Sequence, residues 1–168
     1  YQSLTAQSSC NDADAGSYVP ITGQTNQTTC AVGTHQVDTG QDSCDDADPG
    51  SYVPITGQTS QTDCAVGTYQ SLTAQSACDD ADAGSYVPTT GQSNQTVCAT
   101  ATYYTHPTLS TCNHADASSY VPITEKTNQT PCAIGTNQVY TEQNSCDDAD
   151  PGPYGPITAQ TSQTKSQA

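Results

Sequence analysis

Nine cysteines divide this 168-residue chain at two alternating intervals. Cys10, Cys30, Cys44, Cys64, Cys78, Cys98, Cys112, Cys132 and Cys146 follow one another by a 20-residue and a 14-residue step in turn, and the sequence between them repeats with the combined 34-residue period. A catalytic centre needs one unusual constellation of side chains. A pattern copied along a chain belongs instead to a repeat architecture, in which each copy buries its neighbour.

The rest of the composition leaves cysteine to do the work of a core. Phe, Trp and Met are absent, and the only cations of the Lys/Arg type are Lys126 and Lys165. Ala, Val, Cys and Tyr supply most of the apolar surface, with Leu only at positions 4, 72 and 109. A unit below about 40 residues with so little to bury needs a disulfide, a metal or stacked copies to hold a fold. Persistent disulfides imply an oxidising compartment, so the chain is expected to be extracellular or at a cell surface. Zinc is the other use of periodic cysteines, but structural zinc sites take ligands in close pairs such as C-x-x-C. No such pair occurs, and His35, His106 and His114 fall at unrelated places in the repeat.

A formal charge of −15 opposes binding to nucleic acid or to anionic membranes. No apolar run approaches the ~20 residues of a membrane span, so no membrane insertion is expected. The chain neither starts with Met nor carries a signal-peptide pattern, and is read as a mature product or part of a longer one.

One repeat runs C-A-V-G-T-Y-Q-S-L-T-A-Q-S-A-C from Cys64 to Cys78, then continues through Asp79-Asp80-Ala81-Asp82 to Cys98. Both halves carry G-x-Y, which predicts a duplicated half-unit with six extra residues in the second half. Tyr18, Tyr52, Tyr86, Tyr120 and Tyr154 recur in the long half; Tyr1, His35, Tyr69, Tyr103 and Asn137 hold the matching place in the short half. Tyr52-Val53-Pro54-Ile55-Thr56 reads as extended, because proline biases the preceding residue away from helix and cannot donate to a ladder. Gly-Gln and Asp-Pro-Gly read as turns. No stretch has helical apolar periodicity, which excludes the tetratricopeptide array that a 34-residue period would otherwise fit.

The expected fold class is therefore small, disulfide-rich and all-β: tandem 34-residue repeats of short two-stranded ladders and turns, forming an elongated rod with little or no helix. Five repeats fall at approximately 1–30, 31–64, 65–98, 99–132 and 133–168. Each tyrosine is expected to pack over sulfur or a neighbouring strand, stacking on carbohydrate being the other use of such a ring.

The motif C-x-x-G-T-Y-x-x-x-x-x-Q-x-x-C, as in Cys64 to Cys78, resembles the cysteine-rich repeats of growth-factor-receptor and tumour-necrosis-factor-receptor type, which also occur in large microbial surface proteins. Ala13, Ala47, Ala81, Ala115 and Ala149 stand where a C-x-x-C would place a second cysteine.

Two local pairings are open. One bridges the longer, 20-residue interval (Cys10–Cys30 onward) and leaves Cys146 alone. The other bridges the shorter, 14-residue interval (Cys30–Cys44, Cys64–Cys78, Cys98–Cys112 and Cys132–Cys146) and leaves Cys10 odd. Loop entropy separates them by only about 0.3 kcal/mol per bridge. The resemblance favours the shorter interval. So does Ser166, which replaces the next cysteine of the series and would strand Cys146 under the longer scheme. Ser166-Gln167-Ala168 also aligns with Cys64-Ala65-Val66, and Tyr1 with Tyr69, so a second copy would continue the repeat almost in phase. The expected partner is thus another copy, joined head to tail in a homopolymer.

Asn26-Gln27-Thr28, Asn94-Gln95-Thr96 and Asn128-Gln129-Thr130 are N-glycosylation sequons in one register, with Ser60 and Ser162 at the same place in the other copies. Covalent glycans are expected at Asn26, Asn94 and Asn128. Calcium is a secondary expectation, at Asp46 and Asp48, Asp80 and Asp82, and Asp148 and Asp150, because alternating carboxylates before a glycine present hard oxygen ligands. The alternative for these residues is an Asx turn on a solvated face. No other cofactor and no nucleophile constellation is expected, and the chain is read as no enzyme. The function expected is that of a structural extracellular protein, a glycosylated repeat rod assembling into a surface or secreted filament. The alternative is an adhesin or receptor-like ectodomain stalk presenting a ligand-binding region, with Ala101–Thr111 the least typical segment.

Overall fold

A computed structural model describes residues 1–105 and 110–148, together with two strands at 153–154 and 164–165. Among these residues there is no helix, and every strand is two residues long. β1 (Ser17–Tyr18) pairs with β2 (Thr28–Thr29), β3 (Thr34–His35) with β4 (Asp45–Asp46), and β5 (Ser51–Tyr52) with β6 (Thr62–Asp63). β7 (Thr68–Tyr69) pairs with β8 (Asp79–Asp80), β9 (Ser85–Tyr86) with β10 (Thr96–Val97), and β11 (Thr102–Tyr103) with β12 (Asn113–His114). β13 (Ser119–Tyr120) with β14 (Thr130–Pro131), β15 (Thr136–Asn137) with β16 (Asp147–Asp148), and β17 (Pro153–Tyr154) with β18 (Thr164–Lys165) complete the series. All are antiparallel, and no ladder shares a strand with another. The fold is an all-β, disulfide-rich tandem repeat.

The strand positions correct one sequence expectation. The first strands start at Ser17, Thr34, Ser51, Thr68 and onward to Pro153 in a constant 17-residue step, and the second strands from Thr28 to Thr164 keep the same step. The two halves of the 34-residue repeat are therefore equal in length, and the long half has no six extra residues. Cysteine merely changes place from one 17-residue module to the next. In Ser51–Gly67 it follows the second strand, at Cys64; in Thr68–Gly84 it precedes it, at Cys78. Counting from cysteine to cysteine thus gives two unequal intervals where the backbone repeats evenly.

Two module types alternate. One reads S-Y-V-P-I-T-G-Q-T-S-Q-T-D-C-A-V-G (Ser51–Gly67), the other T-Y-Q-S-L-T-A-Q-S-A-C-D-D-A-D-A-G (Thr68–Gly84). We call them Val and Gln modules after their third residue, which enters the core. Val53, Val87 and Val121 are fully buried, and so are Gln36, Gln70 and Gln138 to within a few per cent. The other core column alternates Cys with Ala: Cys30, Cys64, Cys98 and Cys132 against Ala13, Ala47, Ala81 and Ala115. Such small side chains fill the space between backbones that lie close together, which is why the chain folds without Phe, Trp or Met.

A two-stranded ladder of this size is marginal alone. By backbone contacts the chain forms two compact bodies, Tyr1–Asp80 with Thr89–Asn94, and Ala81–Pro88 with Gln95–Ala168. Inside the first, each module bonds to the next and to the one after. Val53 N–H donates to Gln75 O (2.9 Å), while Gly50 N–H donates to Gln70 O (2.7 Å) and Gly57 N–H to Cys30 O (2.9 Å). Inside the second, Val121 N–H donates to Gln143 O (3.0 Å), Ser118 N–H to Gln138 O (2.9 Å) and Cys132 N–H to Ser118 O (2.8 Å). The backbone amides that a two-residue strand leaves over are used between modules.

The last residue of the module carries the steric load. Gly50 sits at φ +89°, and a Cβ there would run into the carbonyl of Gly91. Glycine alone fits both demands. The second body relaxes this rule: Ala101 and Ser118 take the same left-handed turn at φ +67° and +73°.

Candidate functional site

The chemistry-bearing residues lie at the junctions between modules. Disulfides join Cys30 to Cys44, Cys64 to Cys78, Cys98 to Cys112 and Cys132 to Cys146, each at a sequence separation of 14, with Cα–Cα distances of 5.7–5.8 Å. Each ties a buried cysteine of a Val module to a half-buried one in the following Gln module. Cys10 is free and exposed.

The junction in the other direction has no cysteine. There Ala47 occupies the place of Cys64, and Gln61 the place of Cys78. Gln61 closes this junction with hydrogen bonds: its Oε1 accepts from Asp48 N–H (2.7 Å), and its Nε2 donates to Asp48 Oδ2 (2.8 Å). Gln27 does the same with Asp14 at 2.7 Å in both bonds. Gln95 with Asp82 and Gln129 with Asp116 repeat the clip. The four clips were invisible to sequence reasoning, because Gln and Asp in a polar chain read as solvated surface. The signal that could have found them is the 17-residue step itself, which superposes Gln61 on Cys78.

A second missed device closes the loop of the Gln modules. Gln70 Nε2 donates to Ala77 O (2.9 Å), and its Oε1 accepts from Leu72 N–H (3.0 Å). Gln36 and Gln138 make the same two bonds, to Ser43 and Asp38 and to Ser145 and Tyr140. Burying an amide is tolerable only when its donors and acceptors are used in this way. In the module that starts at Thr102 the buried place of this glutamine is taken by Tyr104.

The clips bear on the acidic residues expected to hold calcium. Asp48 and Asp82 have one carboxylate oxygen engaged by Gln61 and Gln95. Asp46, Asp80 and Asp148 lie in β4, β8 and β16, and Asp150 lies outside the described residues. Among the described residues no three His, Cys, Asp or Glu side chains gather as a metal-binding group. No helix of the described residues is long and apolar enough to cross a membrane.

Asn26, Asn94 and Asn128 are exposed, in the loop just before the second strand of their modules. Their amides reach only the hydroxyl of the preceding residue: Thr25 at 3.4 Å, Ser93 at 3.1 Å and Thr127 at 3.4 Å. The glutamine inside each sequon is the clip residue. The exposed asparagine therefore sits on a backbone anchored one residue later. No protein-family model matches the chain, and a search of curated proteins finds no match. The receptor-type resemblance accordingly rests on the residues quoted for it.

Proposed function

We propose that this chain is a structural extracellular protein, N-glycosylated at Asn26, Asn94 and Asn128, whose copies stack head to tail into a filament at a cell surface or in the surroundings. The observation that carries this reading is the directional bonding of modules. Gly50 N–H, at the end of one module, and Val53 N–H, near the start of the next, each donate to a later module, and the same pattern recurs at Ser118 and Val121. An interface of this heterologous kind is not self-complementary, and it extends rather than closes unless the rotation happens to form a ring. Four disulfides fit an oxidising environment outside the cytosol. Exposed sequon asparagines give a transferase access, and glycans there would coat a protein with little core.

The distribution of exposed apolar side chains favours architecture over an adhesin or receptor stalk. Ile21, Ile55, Leu72, Ile123 and Tyr140 are all exposed at the fifth residue of their modules, and Leu4 is exposed in the same phase of the 17-residue step. A single ligand-binding head would confine them to one repeat. In this role the chain performs no catalysis; its mechanism is the covalent and hydrogen-bonded closure of each junction. Cryo-imaging of the native material is expected to show polymers built from this chain, and peptide mass spectrometry to find glycans at the three asparagines. Isolated monomers under native conditions would overturn the filament, and bare asparagines at all three positions would overturn the glycan coat.

A further inference from the structure

Two surface grooves occur at corresponding places, one in each compact body. The first, about 370 Å³, is lined by Tyr18, Thr28, Ala31, Thr34, Ser43 and Cys44. The second, about 290 Å³, is lined by Tyr120, Ala133, Thr136, Ser145 and Cys146. Each residue of the second stands three full repeats after its counterpart in the first, as Tyr120 does after Tyr18 and Cys146 after Cys44. The same cavity has thus been built twice from the same residue types, over the half-buried cysteine of a disulfide.

These two copies also share features that the sequence varies elsewhere. Both have a serine before the cysteine, as Ser9 stands before Cys10, whereas the two copies between them hold Ala77 and Thr111. Both adjoin a Gln module in which the first-strand tyrosine is replaced, by His35 and by Asn137. His35 Nδ1 and Asn137 Oδ1 are buried with no hydrogen-bond partner, one residue beyond the threonine that lines each groove.

From this geometry we infer that each groove is a subsite for one neutral hexopyranose ring. Tyr18 and Tyr120 are half-buried, so each ring is held by the protein yet offers surface to the C–H face of a sugar. Threonine and serine hydroxyls around it can donate to and accept from sugar hydroxyls. Thr34 and Thr136 are oriented for this: each donates to the carbonyl of the alanine lining the groove, at 2.9 Å, which leaves the oxygen lone pairs to accept. No lining residue is charged, in a chain of net charge −15, so the grooves lack a cation to hold an anionic ligand and the surrounding field repels one. At the rim of the first groove the carboxylate of Asp42 lies against the Ser43 hydroxyl (3.2 Å), a further acceptor for a sugar and a further repulsion for an acid. The volumes suit one ring, near the lower limit for small-molecule sites. The inference is independent of filament formation, since each groove lies within one body.

Saturation-transfer NMR tests it on the full chain after enzymatic trimming of any asparagine glycans. The probes are methyl glycosides of glucose, galactose, mannose and N-acetylglucosamine, with glucuronate as the anionic control, at millimolar concentration where single shallow sites bind. Transfer to at least one neutral glycoside is expected, and none to glucuronate. The paired variant Ala31→Leu, Ala133→Leu fills both grooves from exposed positions and is expected to reduce transfer several-fold, with an unchanged circular dichroism spectrum. The paired variant Tyr18→Phe, Tyr120→Phe keeps the stacking face and is expected to retain most of it. Absence of transfer to every neutral glycoside, equal transfer to glucuronate, or transfer untouched by the leucines would each overturn the proposal.

Discussion

At the junction from Cys64 to Cys78 a covalent bridge ties two modules; at the junction from Ala47 to Gln61 a glutamine amide and an aspartate do the same. The backbone keeps its 17-residue step across both, and the side chains that differ occupy equivalent positions. A module of this size thus needs one closure on each side, and its chemistry is interchangeable. The disulfide acts on the unfolded chain, where closing a loop of this length contributes about 3 kcal/mol. The clip acts only in the folded state. Two solvent-facing hydrogen bonds, one to a carboxylate, contribute about 1–2 kcal/mol together. Alternating a strong closure with a weak one spaces the covalent links at every second junction.

The largest expected effect comes from removing a bridge. Cys64→Ala with Cys78→Ala should lower the free energy of urea unfolding by about 3 kcal/mol. A loss no larger than that of a clip variant would erase the distinction between junctions. Next comes the buried glutamine that holds the loop ahead of the bridge: Gln70→Ala strips the partners of Leu72 N–H and Ala77 O and leaves a hole, at a cost of about 2 kcal/mol. Slower formation of the Cys64–Cys78 bridge on oxidative refolding of that variant would sharpen the comparison, since it would show the latch presenting the cysteine. The smallest effect belongs to the clip. Gln61→Ala should cost about 1 kcal/mol and should couple to Asp48→Ala in a double-mutant cycle, while Gln129→Ala should be additive with both. No coupling between Gln61 and Asp48 would mean that packing, not the clip, closes that junction.

Much of the architecture was legible in the sequence, because cysteine is the one residue here whose position is dictated by covalent geometry. Its spacing, with the absence of helical periodicity, pointed to all-β tandem repeats. The same dominance hid the true step. Alternate modules hold their cysteine at different phases, so the thiols report a 34-residue period while the backbone repeats twice within it. Tyr18, His35, Tyr52 and Tyr69 already kept the shorter, even step. They could not overrule the cysteines, because nothing in a sequence tells a ladder residue from a loop residue in strands this short. The glutamines were illegible for a different reason. Gln36 and Gln70 look like surface, and they are core only because the loop that folds over them supplies both hydrogen-bond partners. The grooves depend on Tyr18 and Ser43 meeting from successive modules, a proximity that only stacking creates.

Exchange of one closure for the other tests the 17-residue module most directly. In Ala47→Cys with Gln61→Cys, two thiols are introduced at a clip junction, in the spacing and phase of Cys64 and Cys78. Proteolytic mapping of the oxidised protein should find a fifth bridge between positions 47 and 61, with the four native bridges unchanged. Its unfolding free energy should rise by about 2 kcal/mol, the disulfide's gain less the lost clip. Two free thiols in a folded chain, or a bridge formed only by rearranging the native pairs, would contradict it.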